Sequence, residues 1–159
     1  MPQAPLHGLR VIETATGVSG PYAGRLLASL GACVVKLEPE GGDPARTQPV
    51  DDVPLRNGEL SPLFIHLNAG KLNVDPNDIE PSWAHVVLSG DVLADLKGTR
   101  WDPKRLRSHD TRLVTTTAWG ADAQDPGSMA DELLVQTATG FLGFNGDDGL
   151  PPLRLPGWQ

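Results

Sequence analysis

The sequence of 159 residues is poor in cysteine, in aromatic side chains and in positive charge. Its one cysteine, Cys33, cannot form an intramolecular disulfide, and a metal site built on several thiolates is excluded. The amino-terminal residues MPQAP lack the basic stretch and apolar core of a secretory signal. No apolar run approaches the roughly 20 residues that span a bilayer. We therefore expect a cytoplasmic protein with no membrane partner.

The shortage of positive charge bears on the class of partner. The chain has 13 Lys and Arg against 20 Asp and Glu, a formal net charge of -7. Nucleic-acid binding by counterion release needs a basic surface, so we expect no nucleic-acid partner. The one basic run, residues 100–112, could hold a phosphate through Lys104, Arg105 and Arg107. We favour the alternative that these residues form the solvated face of a short helix.

Motifs for metal or nucleophilic catalysis are also missing. There is no G-x-S-x-G sequence, and Asp131 and Glu132 are explained by the favourable position of negative charge at a helix start. The histidines have no ligand spacing, so no metal site is predicted. These histidines are His7, His66, His85 and His109.

Short apolar runs alternate with amphipathic segments, which predicts an α/β protein with an open, mainly parallel sheet in a single domain over residues 1–159. Residues 9–13 and 32–38 are predicted strands that flank a helix over residues 22–30, a β-α-β unit. That helix places Tyr22, Leu26, Leu27 and Leu30 on one face. Further predicted strands are 63–67, 84–89 and 112–119, and further helices are 91–97, 103–108 and 129–143, the last capped by Ser128.

Ligands of open α/β sheets bind beyond the carboxyl ends of the strands, which here carry three loops. The loop 14–21 lacks the G-x-G-x-x-G spacing and offers only a helix amino terminus to an anion. In the loop 38–46, paired glycines allow close approach to a ligand; Arg46 could meet a phosphate, but we favour a solvated arginine. The turn 67–71 fits a plain hairpin as well as a phosphate contact by Lys71.

Several segments, in this order, resemble the opening of the class III CoA-transferase family (CaiB/BaiF). They read PLHGLRVIE (5–13), GPYAGRLLASLGA (20–32), VVKLE (34–38), GGDPAR (41–46), LNAGK (67–71), DELLVQ (131–136), TG (139–140), GD (146–147) and PPLR (151–154). The resemblance implies a Rossmann-like large domain made from both ends of a longer chain, a smaller domain between them, and two interlinked subunits. This sequence then covers only the amino-terminal portion of that fold.

The resemblance also implies a site for coenzyme A or an acyl-CoA, without a metal. Lys71 matches the family's lysine in the turn that meets the CoA phosphates. By contrast, Pro39 and Ala69 stand where the family has basic residues, so we expect weakened binding. An Asn-Phe pair of the family is matched by Ser89 and Gly90. The implied CoA contacts are Val18, Ser19, Asn68, Ala69, Gly70, Lys71, Ser89 and Gly90.

Family transferases use an aspartate that attacks the acyl-CoA thioester, and family racemases use an aspartate and a histidine. In both, the aspartate follows the Pro-Pro segment by several residues, where this sequence places Gln159. An amide can neither form the anhydride nor act as a base. A racemase histidine is expected near Asp131, and the sequence has none there. We therefore assign no catalytic residue.

These features predict the amino-terminal part, or a degenerate subunit, of a CoA transferase that moves CoA between an acyl-CoA thioester and a carboxylic acid. A non-catalytic scaffold that keeps only the fold and an acyl-CoA racemase-like relative are the alternatives. We expect a homo-oligomer or a complementary CoA-transferase chain, because an incomplete sheet should expose apolar residues. The residues expected to be exposed are Val86, Val87, Leu88, Leu133, Leu134 and Phe141.

Overall fold

The computed structural model describes residues 3–49, 53–91, 93–120, 132–144 and 149. Its sheet has the order β3-β2-β1-β4-β5, and every neighbouring pair of strands is parallel. The predicted α/β class with an open parallel sheet is confirmed. The strands are β1 (Arg10–Glu13), β2 (Cys33–Lys36), β3 (Leu72–Asn73), β4 (Val86–Ser89) and β5 (Arg112–Thr115). The helices are α1 (Ser19–Ser29), α2 (Pro62–Asn68), α3 (Leu93–Leu96), α4 (Pro103–Ser108) and α5 (Glu132–Ala138).

The strand order reverses between β1 and β4. The chain first builds outward from β1 through β2 to β3, and then returns to place β4 on the other side of β1. Ile12 of the central strand β1 therefore lies in register between Val35 of β2 and Val87 of β4, and all three side chains are buried, as expected for a covered parallel sheet. The reversal leaves a crevice outside the carboxyl ends of β1 and β4.

Each face of the sheet has its own apolar cluster. The first face is covered by α4 and by the segments that join β3 to β4, and the second face is covered mainly by α1. The buried members of the first cluster are Ile12, Val35, Leu37, Ile79, Ala84, Val87 and Leu106. Those of the second are Val11, Ala32, Val34 and Leu88.

Helix α1 lies very close to the sheet, and this decides which of its faces is buried. Gly20 and Gly24 are buried against β1 and the loop that follows it, and a Cβ at Gly20 would overlap the Cβ of Ala15. The expected apolar face is wrong in part: Tyr22 is 47% exposed and Leu26 is also 47% exposed. Small residues allow an approach that these larger side chains would prevent.

The predicted strand over residues 63–67 is wrong, because this segment is helix α2. Ser61 caps the helix by accepting a hydrogen bond from the backbone N–H of Leu63, and Pro62 occupies the first turn. Phe64 and Leu67 then become the buried side, at a spacing that fits a helix. A hairpin at residues 67–71 is also excluded, since this turn joins α2 to a parallel strand.

Other expectations differ in extent. The strand predicted to reach residue 119 ends at Thr115. The last predicted helix ends at Ala138 rather than at residue 143, and a 3₁₀ turn, Phe141–Phe144, follows it. Its proposed cap, Ser128, lies outside the described residues. The expected exposure of Val87 and Leu88 is wrong, because these two side chains are buried in the apolar clusters on opposite faces of the sheet, while Val86 is partly buried. The side chain of Leu133 lies outside the described residues. Leu134 and Phe141 are about half exposed.

We predict that Gly20→Ala destabilises the protein by at least about 2 kcal/mol, because the added Cβ overlaps Ala15 and α1 must shift from the sheet. Urea unfolding followed by circular dichroism measures this change. Gly143→Ala is the matched control, since its added Cβ meets nothing within 4 Å and its φ is not positive. Equal stability of the two variants would contradict the close approach of α1.

Candidate functional site

The last paired residues of β1 and β2 are both charged. Glu13 ends β1 and lies in register with Lys36, which ends β2, and Lys36 in turn pairs with Asn73 of β3. Glu13 is 0% exposed and Lys36 is 2% exposed. Ionised groups at such burial are stable only when paired, so their partners determine the local structure.

Glu13, Lys36, Asp43 and Lys71 form a buried quartet of charges. The Lys36 Nζ atom lies 3.2 Å from Glu13 Oε1 and 2.8 Å from Asp43 Oδ2. It also donates a hydrogen bond to the carbonyl oxygen of Ala15. The Lys71 Nζ atom lies 2.8 Å from Glu13 Oε2 and 2.9 Å from Glu13 Oε1. Two lysines thus neutralise two carboxylates.

Lys71 reaches beyond Glu13 and connects three segments of the chain. Its Nζ atom donates to the carbonyl oxygen of Pro21 at 2.8 Å and to Asn68 Oδ1 at 3.0 Å. The side chain is 1% exposed. Burial lowers the pKa of the Lys71 ammonium, and the hydrogen bond that Lys71 donates to the Glu13 carboxylate opposes that shift. In this structure the lysine expected to meet phosphate is fully engaged by the protein.

A second ion pair closes the loop after β2. Arg46 donates to both carboxylate oxygens of Glu38 at 2.6 Å, and its guanidinium lies 4.3 Å from the ring centre of Phe64. Asn73 adds a hydrogen bond to Glu38 at 2.9 Å. The Arg46 pairing lowers the pKa of Glu38 from 4.5 to about 2. Arg46 is therefore held in the loop, and the favoured solvated arginine is wrong.

The structure places the other predicted CoA contacts around the switch point. Val18 precedes α1 without a side-chain cap, and Ser19 is exposed beside it. Ser89 is buried and its hydroxyl bonds to Asp91. A Cβ on Gly90 would lie 3.7 Å from the Cα of Ala15, so the loops after β1 and β4 are adjacent.

The turn Asn68–Lys71 contacts α1, because Lys71 donates a hydrogen bond to the carbonyl oxygen of Pro21. Asn68 donates to the carbonyl oxygen of Phe64 at 3.0 Å and accepts from Lys71, so both ends of its amide are used. Ala69 and Gly70 are exposed, and Gly70 has a φ of 80°, which favours glycine. Gln159, expected near the catalytic position, lies outside the described residues.

The sequence reasoning did not identify Glu13, Lys36 or Asp43 as a cluster. One available signal was a charged residue of opposite sign at the end of each of two apolar strands. A parallel register brings such residues side by side. Asp43 carried no comparable signal, because a loop residue has no register from which its partner could be deduced.

Two open cavities are lined by none of the predicted CoA contacts. One of about 520 Å³ lies between α4 and β5 and is lined by residues such as Arg107 and Thr115. Another of about 540 Å³ is lined by residues such as Arg46, Pro54 and Leu60. Within the described ranges, no group of side chains is suited to a metal ion, and no helix is long and apolar enough to cross a membrane.

Comparison with known proteins gives the class. The profile of CoA-transferase family III matches residues 6–158, so the chain belongs to this family. It is 32% identical over 163 residues to succinate–glutarate CoA-transferase of Agrobacterium fabrum, covering 92% of this chain and 41% of that protein. It is 33% identical over 162 residues to formyl-CoA:oxalate CoA-transferase of Streptomyces avermitilis, covering 93% of this chain and 38% of that protein.

Solved structures agree in fold. A CaiB/BaiF family protein of Brucella suis superposes with a TM-score of 0.78 at 24% identity, over 96% of this chain and 43% of that one. Rv3272 of Mycobacterium tuberculosis gives a TM-score of 0.78 at 26% identity, over 98% of this chain and 45% of that one. The chain therefore spans about two-fifths of the length of these relatives.

We predict that Glu38→Gln lowers the free energy of unfolding by about 1–2 kcal/mol at pH 7, a loss limited by solvent screening of the partly exposed Arg46. The folded-state pKa of Glu38 is depressed, so its contribution is fully present above pH 4.5 and is lost as the pH falls toward about 2. Urea unfolding at several pH values should show the two proteins converging over that window. The exposed Glu40, mutated to Gln, is the control, and a pH-independent difference would contradict the assignment.

Proposed function

We propose that this chain forms the CoA-binding edge of a class III CoA transferase that moves CoA between an acyl-CoA thioester and a carboxylic acid. The observation that carries the proposal is the family match over residues 6–158, on a sheet whose strand order reverses between β1 and β4. The CoA contacts that we propose are Val18, Ser19, Asn68, Ala69, Gly70, Lys71, Ser89 and Gly90.

The geometry of the switch point suits an elongated anionic ligand. The first turn of α1 has no side-chain cap at Val18, so its backbone N–H groups can serve an anion. Gly90 adds no side chain where the loops after β1 and β4 meet, which leaves the crevice open. The exposed turn at Ala69 and Gly70 lies beside α1, where a Cβ on Gly70 would be 3.9 Å from the Cβ of Ala28, and Lys71 connects this turn to Pro21 in the first turn of α1.

Local charge argues that CoA needs additional cations. Lys36, Lys71 and Arg46 are each paired with carboxylates in this structure. Pro39 and Ala69 replace basic residues of the family pattern. The phosphates of CoA carry several negative charges, and we propose that a second copy or a complementary CoA-transferase chain in the cytoplasm supplies their missing partners.

The chemical step needs a carboxylate. In the family reaction, a carboxylate attacks the thioester carbonyl, the CoA thiolate leaves, and a mixed anhydride forms. The thiolate then attacks the enzyme carboxyl, releases the first acid and forms an enzyme-CoA thioester, from which CoA passes to the acceptor acid. Gln159 borders the expected position and its amide cannot do this.

The alternative of a scaffold that no longer binds CoA is favoured by one observation, the complete pairing of Lys71 and Arg46. Binding of CoA separates the two functions, because a scaffold should be indifferent to it.

We predict that CoA raises the thermal unfolding temperature saturably, since a ligand at a hundredfold excess over its Kd adds about 2.7 kcal/mol to the folded state. Gly90→Leu should abolish the rise by filling the crevice while the fold is kept. Ser82→Leu adds the same bulk at an exposed residue just before β4, at the opposite edge, and should leave the rise unchanged. No rise with millimolar CoA would favour the scaffold.

A further inference from the structure

The Lys71 ammonium is enclosed on every side that the structure describes. Its three N–H protons face four acceptor atoms, which belong to Glu13, Pro21 and Asn68. Helix α1 covers this group at Gly24, where an added Cβ would collide with Glu13 Oε2 and lie 3.3 Å from Lys71 Cε. No N–H of Lys71 is left over for a ligand.

We propose that Lys71 is a positioning residue that holds the turn Asn68–Gly70 against the first turns of α1 through Glu13, and that it does not contact a ligand phosphate. The proposal rests on the proposed function in so far as it concerns CoA. It departs from the role that the family resemblance gives to this lysine.

The cost of freeing Lys71 supports this assignment. A phosphate could reach Nζ only after α1 or the Glu13 carboxylate moved. Glu13 would then keep Lys36 alone, at 3.2 Å, while Lys36 is shared with Asp43. An under-compensated carboxylate at 0% exposure is strongly destabilising. The lowered pKa of Lys71 is consistent with its enclosed site.

The contact between Lys71 and Asn68 also fixes the conformation of the turn Asn68–Lys71. Lys71 fixes the Asn68 side chain, whose other end bonds to Phe64, and this leaves Ala69 and Gly70 exposed at the edge of α1. Any contribution of the turn to ligand binding then comes from its exposed backbone, in a conformation that Lys71 and Glu13 maintain together.

The first test uses unfolding without ligand. Lys71→Met and Glu13→Gln should each raise the unfolding equilibrium constant about 100-fold, because each leaves a buried charge poorly paired. The double variant Glu13→Gln/Lys71→Met should recover most of that loss, since Lys36 and Asp43 still neutralise each other. Lys97→Met, at an exposed lysine, is the control. Independent, multiplying effects of the two mutations would overturn the proposal.

The second test measures CoA affinity, because the two possible roles of Lys71 predict opposite effects of Glu13→Gln on it. If Lys71 positions the turn, Glu13→Gln should weaken CoA binding about tenfold, a coupling of the usual size between contacting residues. If Lys71 binds phosphate, Glu13→Gln removes its competitor and should tighten CoA binding. The double variant extends the comparison. An affinity equal to that of Glu13→Gln supports positioning, because Lys71 then acts only through the contact already lost, and an affinity well below that of Glu13→Gln overturns it.

Failure of the proposed function is distinguishable from failure of this inference. If the wild-type chain binds no CoA, the proposed function falls, and the unfolding cycle alone decides whether Glu13 and Lys71 act as a unit. If either single variant is too unstable to purify, hydrogen exchange of the Ala69 and Gly70 amides in Lys71→Arg replaces it. Faster exchange there than in the Lys97→Met control supports positioning, and unchanged exchange overturns it.

Discussion

Two lysines and two carboxylates are buried together where β1 and β2 end, and the loops at this edge depend on that arrangement. Each charge would be costly alone, so the four side chains must be in place together. These four side chains therefore fix the positions of the β1–α1 loop, the loop around Asp43 and the turn at Lys71 relative to one another. The buried ion pairs thus position the loops at the candidate CoA edge, while the apolar clusters stabilise the sheet.

Asp43 extends this constraint to the outer loop. Its Oδ2 atom contacts Lys36, while its Oδ1 atom accepts from the backbone N–H of Ala45 and caps the 3₁₀ turn Pro44–Thr47. That turn carries Arg46 to Glu38. The paired glycines 41 and 42 both have positive φ values, which lets the loop fold back over so short a distance. A loop for which composition favoured a solvated arginine is instead closed by the pairing of Arg46 with Glu38.

The sequence was most informative where local signals and burial agree. The β1–α1–β2 unit and α4, with Asp102 as its cap, were predictable from β-branched runs, Gly31 and the Asp-Pro start. The strand predicted over residues 63–67 was wrong because a short apolar run fits a strand or a helix, and the feature that indicates a helix is the Ser61 cap. The prediction of the buried face of α1 was wrong because hydrophobic periodicity selects the side with large apolar residues, whereas close packing against the sheet here required glycine. The ion quartet joins residues up to 58 positions apart, and no local pattern encodes such pairing.

The strand order has a consequence for how the protein is made. All members of the quartet, and the strands β1, β2 and β3, lie within the first 73 residues. A domain generally folds as a unit, and β4 pairs with β1 so that Glu13 lies in register with Leu88. The charged edge therefore closes fully only after β4 has been translated, although every charge that it contains lies in the first half of the chain.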